Sequence, residues 1–298
     1  MFQSLPSSIT APPAGIAPTV IGPVGLLVRD LPNIIDFYTQ SIGLSVQQQS
    51  DHAAVLGVGG APLIQLQHTP VEIFRRRSPG LYHTAILLPS RASLAEWLHR
   101  AISTGVTLRG AADHGVSEAI YLEDPEGNGI EIYQDRAKDL WPRAAGGLAM
   151  VTERLDVNGL LAEIPNGKAT PIPAELSPQA RIGHVHLRVA NLSAAEAFYR
   201  DLLKMNLMQR FGDSAAFLSY GGYHHHLGLN TWESRGTLPR PAGAPGLFAF
   251  HLYPPDSSVY ESIRAAAHTH AANHGGLGDD GSLQVQDPSG NRIVVHRV

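Results

Sequence analysis

The chain has 298 residues, 43% of them hydrophobic, and a formal net charge of −4; it is long enough for roughly two domains of about 150 residues, each with a sizeable core. That charge offers no basic surface for nucleic acid or an anionic membrane, and no apolar run reaches the roughly 20 residues that span a bilayer. Without cysteine, disulfides and thiolate metal sites are excluded, so any metal must be held by nitrogen and oxygen donors.

Residues 1–19, opening MFQSLPSSITAPPAG, lack a charged segment followed by an apolar one and read as a flexible arm rather than a signal peptide, which predicts a cytoplasmic protein. From residue 20 a module begins: the apolar run VGLLV reads as a strand, LPNIIDFYTQSI as an amphipathic helix, and AAVLGVGGAPLIQLQ as a strand hairpin. A second module follows, with HTAILL as strand, LAEWLHRAIS as helix and AADHGVSEAIYLEDPEGNGIEIY as hairpin. Residues 136–181 are rich in Pro, Gly and Ala, with one short helical candidate near Val157 to Glu163, and read as a linker longer than most loops. The pattern then returns. At a constant offset Val28 matches Val189, Leu31 matches Leu192, and Phe37-Tyr38 matches Phe198-Tyr199; DPEGNGIEIY from Asp124 pairs with DPSGNRIVVH from Asp287. This is an internal duplication. The chain therefore divides into an N-terminal domain, 20–135, holding modules one and two, and a C-terminal domain, 182–298, holding modules three and four. Four βαβββ units predict an α+β fold of two cup-shaped mixed sheets with helices outside.

One residue breaks the apolar pattern. In GIEIY, Ile130 and Ile132 alternate with Glu131 and Tyr133, so a strand puts the isoleucines on one face and a carboxylate on the other. If that face is solvent, Glu131 is an ordinary surface residue. If it is enclosed, the charge must be paired or must bind a metal. Histidine is the unusual component of the composition, at 15 residues, and the histidines cluster.

The four-module pattern resembles the vicinal oxygen chelate superfamily, which includes glyoxalases, extradiol ring-cleaving dioxygenases and fosfomycin resistance proteins; the resemblance covers nearly all of residues 20–298. In that family the first and last strands of a module supply metal ligands. Counting back from Asp30, Ser90, Asn191 and Pro255, each of which begins a helix turn, the resemblance places the first-strand position at Pro23, His83, His184 and Phe248. The last-strand position falls at Glu131 in module two, Gly228 in module three and Val294 in module four. The implied metal ligands are thus His83, Glu131 and His184, a two-histidine, one-carboxylate set that suits Fe(II), with Mn(II) also accepted, and O2 as co-substrate. This split requires modules two and three to pair, within one chain or between chains, leaving modules one and four as a degenerate, stabilising pair.

The segments GLYH, DHGVSEA and GGYHHH bring the resemblance closest to bacterial extradiol dioxygenases of the catechol-2,3-dioxygenase type. In the two-domain members a tyrosine precedes the glutamate ligand by ten residues, with a histidine shortly before it; Tyr121 and His114 match. Alignment of YHHHLGLNTW makes His225 the acid/base candidate, whereas strand alternation would put His224 and His226 on the ligand face, so all three stay open, with His224, His226 and His186 as substrate-contacting candidates. A neutral imidazole suits the proton transfers of ring cleavage. The resemblance implies cleavage of a small aromatic diol by O2, with no nucleic-acid or membrane partner and with homo-oligomerisation left open. Two alternatives are a glyoxalase-like isomerase or lyase, which uses two glutamates where this chain offers Gly228, and a metal-free binding protein, for which the ligand set would be coincidence.

Overall fold

The computed structural model describes residues 20–72, 77–145, 147–164, 174–269, 276–278 and 281–298; the arm expected at 1–19 and the linker stretch 165–173 lie outside them. Each module starts with a leading strand: Ile21–Val28, Gly80–Leu87, Arg181–Arg188 and Gly246–Leu252. In each, that strand runs parallel to a later strand of the same module, as in the pairings Val24 with Ile64, Ala85 with Glu131, Leu187 with Leu229 and His251 with Val294. Parallel neighbours need a crossover, which here carries a helix and two further strands. The helix packs on the apolar face. In Arg91–Ser103, capped by Ser90 accepting from the Ser93 amide, the buried side chains Leu94, Trp97, Leu98 and Ala101 recur at helical spacing. They join Ile130 and Ile132 in one apolar core to which all four modules contribute.

The fold is α+β, with two mixed sheets of eight and nine strands. The leading strand of module two pairs antiparallel with that of module three, setting Thr84 against Val185 and His83 against His186. That of module one pairs with that of module four, Gly25 against Ala249. Modules two and three therefore share the nine-stranded sheet within one chain, and one and four share the other. The segments 20–135 and 182–298 are halves of the duplicated sequence; each sheet draws on both.

Turns tie the modules together the other way. In DPEGN, Asp124 Oδ1 accepts from the Glu126 and Asn128 amides, and the Glu126 carboxylate reaches across to the Arg29 and Asp30 amides at the start of the module-one helix. In DPSGN, Asp287 does the same with Ser289 and Asn291, while Ser289 Oγ accepts from the Ala190 amide of module three. Sheets join two to three and one to four; turns join one to two and three to four. The linker packs on module two: its helix Val157–Leu161 lies at the Val157–Glu163 candidate, and its residues Glu153–Arg154 add a short strand beside Ala112 and Asp113. Among the described residues no helix is long and apolar enough to cross a membrane.

The close approach of the two module-two strands depends on a missing side chain. A Cβ on Gly129, which lies across from His83, would sit 2.0 Å from the Tyr82 carbonyl oxygen. Backbone cannot rotate out of the way as a side chain can, so Gly129→Ala is expected to cost about 1–3 kcal/mol and to lower the melting temperature; an unchanged melting temperature in thermal unfolding would refute this packing.

Candidate metal and active site

Strand alternation puts Ala85, Leu87, Ala119 and Tyr133 on the concave face of the nine-stranded sheet, and the same alternation carries Glu131 there. The face is enclosed, and Glu131 is 2% exposed. His83, from the leading strand of module two, and His184, from that of module three, are buried beside it. His83 Nε2 lies 3.0 Å from Glu131 Oε2, His184 Nε2 lies 3.3 Å from the same oxygen, and the two Nε2 atoms are 3.3 Å apart. The seam between the modules thus brings together residues that are 101 positions apart in the chain.

These donors fit a divalent cation. Two donors about 2.1 Å from a metal and at right angles are about 3.0 Å apart, so a near-equilateral triangle with edges of 3.0 to 3.3 Å matches one face of an octahedron. Charge agrees with distance. Burial pushes the Glu131 carboxyl up, but the two imidazoles against it outweigh burial and hold it well below the usual carboxylate range. Burial lowers His184 to about 4, leaving it neutral and able to coordinate. One enclosed carboxylate with the neutral His184 beside it is the arrangement a dication compensates. The other His184 nitrogen, Nδ1, is buried without a hydrogen-bond partner; the ring is held by packing between His225 and Tyr133, with centroids 4.1 and 4.9 Å away.

The triad forms the floor of a cavity of about 590 Å³ whose lining also includes Tyr121, His114, His186 and His225. His114 and Tyr121 act as a unit. His114 Nδ1 donates to the Val151 carbonyl at 2.8 Å, so its Nε2 is left as acceptor for the Tyr121 hydroxyl at 2.6 Å. Burial first, and then the Glu131 charge, raise Tyr121 well above the ordinary phenol value, so it remains protonated. The rest of DHGVSEA anchors this hairpin: Asp113 pairs with Arg136, and Glu118 with Arg91 and Gln134. His186 receives a hydrogen bond from Asn230 at 3.0 Å and packs edge-on against His83; burial keeps it neutral.

The three consecutive histidines part company. Residues 220–226 form a turn, with Gly221 and Gly222 both at positive φ, and the next strand begins only at Leu227, so period-two alternation does not govern them. His225 faces the cavity. His224 and His226, expected among the substrate contacts, do not line it: His224 lies behind His225, and His226 packs on Tyr223 with its Nδ1 accepting from the Tyr220 amide. Sequence reasoning missed Asp135, although the period that selects Glu131 and Tyr133 also selects it. Asp135 accepts from His224 Nε2 at 2.8 Å and from the Tyr223 hydroxyl at 2.9 Å. With its Nε2 donating, His224 offers Nδ1 as acceptor, so His225 donates from Nδ1 at 2.8 Å and keeps its Nε2 lone pair. Burial lowers His225 well below the usual histidine value, so that lone pair is free at neutral pH.

Removing the carboxylate should abolish metal binding. Even partners outside the ligand set change metal affinity about 10- to 100-fold, so Glu131→Ala should lose more than about 100-fold for Fe(II) or Mn(II), read by calorimetric titration and elemental analysis of the anaerobically loaded protein. Stoichiometric metal in this variant would remove Glu131 from the ligand set.

Comparison with known proteins agrees with this architecture. The family model for the glyoxalase/bleomycin resistance protein/dioxygenase superfamily matches residues 20–132 and 181–295, one stretch on each side of the linker. A Bacillus subtilis (strain 168) protein named catechol-2,3-dioxygenase is 38% identical over 285 residues, spanning 93% of this chain and 96% of its own. Solved structures share the fold at low identity. A Bacillus subtilis (strain 168) protein superposes with a TM-score of 0.62 at 14% identity, covering 94% of this chain and 86% of its own. Glyoxalase I from Zea mays gives 0.56 at 19% identity, covering 93% and 92%. On the duplicated match and the full-length relative, the chain belongs to the glyoxalase/bleomycin resistance protein/dioxygenase superfamily.

Proposed function

We propose that the protein is an extradiol ring-cleaving dioxygenase of the catechol 2,3-dioxygenase type, which opens a catechol beside its diol with O2. The observation that carries the reading is the placement of a buried two-histidine, one-glutamate triad on the floor of a cavity that also receives a neutral histidine, His225, and the Tyr121–His114 pair. The relative named catechol-2,3-dioxygenase supports the same chemistry.

His83, Glu131 and His184 would hold Fe(II), which supplies Lewis acidity toward a chelating diol and electrons toward O2. The chain's own residues manage protons and position. His225 Nε2, free because burial keeps the ring neutral and the His224–Asp135 chain holds the ring proton on Nδ1, takes a proton from a substrate hydroxyl and returns it as the ring opens. Tyr121, its own proton committed to His114, turns an oxygen lone pair toward the second hydroxyl. The Tyr82 and Phe217 rings on the cavity walls limit water at the reacting atoms. A glyoxalase-type pair of glutamates has no place here: the module-three position is Gly228, where a Cβ would meet the His186 ring at 2.8 Å.

The test is anaerobic loading with Fe(II), then catechol and air. O2 uptake matched to a yellow ring-opened product is expected in the wild type, falling below detection in Glu131→Ala and His184→Ala. Stoichiometric metal without O2 uptake across several catechols would overturn the reading. The proton chain makes a separate prediction. General acid–base groups contribute about 10²- to 10⁴-fold, and Asp135 acts through two intervening histidines, so Asp135→Asn should lower kcat about 10- to 100-fold with metal content and KM unchanged. An unaltered kcat would show that the chain is not used.

A further inference from the structure

Resting on the ring-cleavage reading, we infer that the substrate is a catechol whose ring carries an apolar substituent and no carboxylate, and that Glu233 enforces this choice by pairing Arg188. The argument starts from room. A cavity of about 590 Å³ falls within the range of roughly 300–1,000 Å³ that encloses drug-sized ligands, more than a bare catechol fills. The space beyond the triad is bounded by Phe211, Phe217, Trp232, Tyr82 and Met150. Trp232 is 49% and Phe211 37% exposed. These are large apolar side chains left uncovered at a cavity rim, where a substituent would bury them.

Each cation at the rim already has a carboxylate beside it. Among the described residues, the cations lining the cavity are Arg109 and Arg188. Arg109 pairs with Glu123 at 2.7 Å. Arg188 Nη1 donates to the Leu81 carbonyl at 2.8 Å, its Nε lies 3.1 Å from Glu233 Oε2, and its guanidinium lies over the Tyr82 ring. A substrate carboxylate would have to displace one of these glutamates or lie unpaired against aromatic rings, while facing the negative charge that remains. The turn after the strand Leu227–Asn230 supplies both elements of the selection: Trp232 presents the apolar surface and its neighbour Glu233 neutralises the cation.

The test measures affinity without turnover, by calorimetric titration of the anaerobic Fe(II)-loaded enzyme with bare catechol, catechols bearing tert-butyl or phenyl, and catechols bearing carboxylate or acetate. Covering the rim should tighten the apolar compounds about 10- to 100-fold over catechol, and the carboxylated ones should bind at least about tenfold more weakly than catechol. In Glu233→Gln the preference for apolar over carboxylated ligands should shrink about tenfold, because Arg188 regains a free charge for a carboxylate. In Trp232→Ala the gain from the apolar substituent should fall about tenfold. Carboxylated catechols that bind as tightly as the apolar ones, or a preference that Glu233→Gln leaves unchanged, would overturn the inference while ring cleavage still stands. Failure to bind any catechol would sink both.

Discussion

The structure depends on one enclosed negative charge. Glu131 sits in the middle of a strand, on the enclosed face of the sheet, with imidazole nitrogens 3.0 and 3.3 Å from one of its oxygens. A buried carboxylate in such a place costs several kcal/mol unless it is compensated, so the surrounding chain must deliver compensation with accuracy. It does so through the antiparallel seam between modules two and three. The register that sets His83 opposite His186 also brings His184 to within 3.3 Å of the carboxylate. A shift of one residue in that seam would turn His184 to the face opposite His83 and Glu131.

The seam is held from outside the site. Turns of modules two and four clamp the starts of the helices of modules one and three, and the leading strands of one and four pair on the far sheet. The four modules form a closed ring of contacts in which sheet and turn alternate. Modules one and four keep the fold's apolar positions but put Pro23, Phe248 and Val294 where ligands would stand. Their part is to close the ring, which leaves modules two and three free to carry polar groups in a concave face that a lone pair of modules could not stabilise.

Much of this was legible in the sequence, for reasons that differ by residue. The repeat is legible because each module needs the same apolar positions to cover its helix. Glu131 is legible because a carboxylate breaks the apolar alternation of its strand, whereas His83 and His184 are reached through the resemblance, which places the first-strand position there. The pairing of two with three followed from the ligands themselves, since no other pairing assembles the set. Alternation failed at His224 to His226 because two glycines at positive φ take the chain out of the strand just before them. Asp135 carried the right period but lay at a strand end, where a charged residue is unremarkable. Phe211, Phe217 and Trp232 could not be found, because an aromatic that lines a cavity and one that fills a core are the same letter in the sequence. The ion pair of Arg188 with Glu233 joins the end of one strand to the turn after another, and only tertiary structure brings them together.

The pairing of the first module with the last also orders events during synthesis. The strand Ile21–Val28 is made more than 200 residues before its neighbour on one side, Gly246–Leu252. Until then the early half carries a long apolar strand with an open hydrogen-bonding edge, the feature most prone to stray pairing. The strand Gly80–Leu87 waits in the same way for Arg181–Arg188. Nascent chains of this protein therefore pass through a stage with two unsatisfied edges and with His83 and Glu131 alone of the candidate triad. The complete triad comes into being only when translation has passed the linker, so the candidate site is itself a signal that the second half of the molecule is in place.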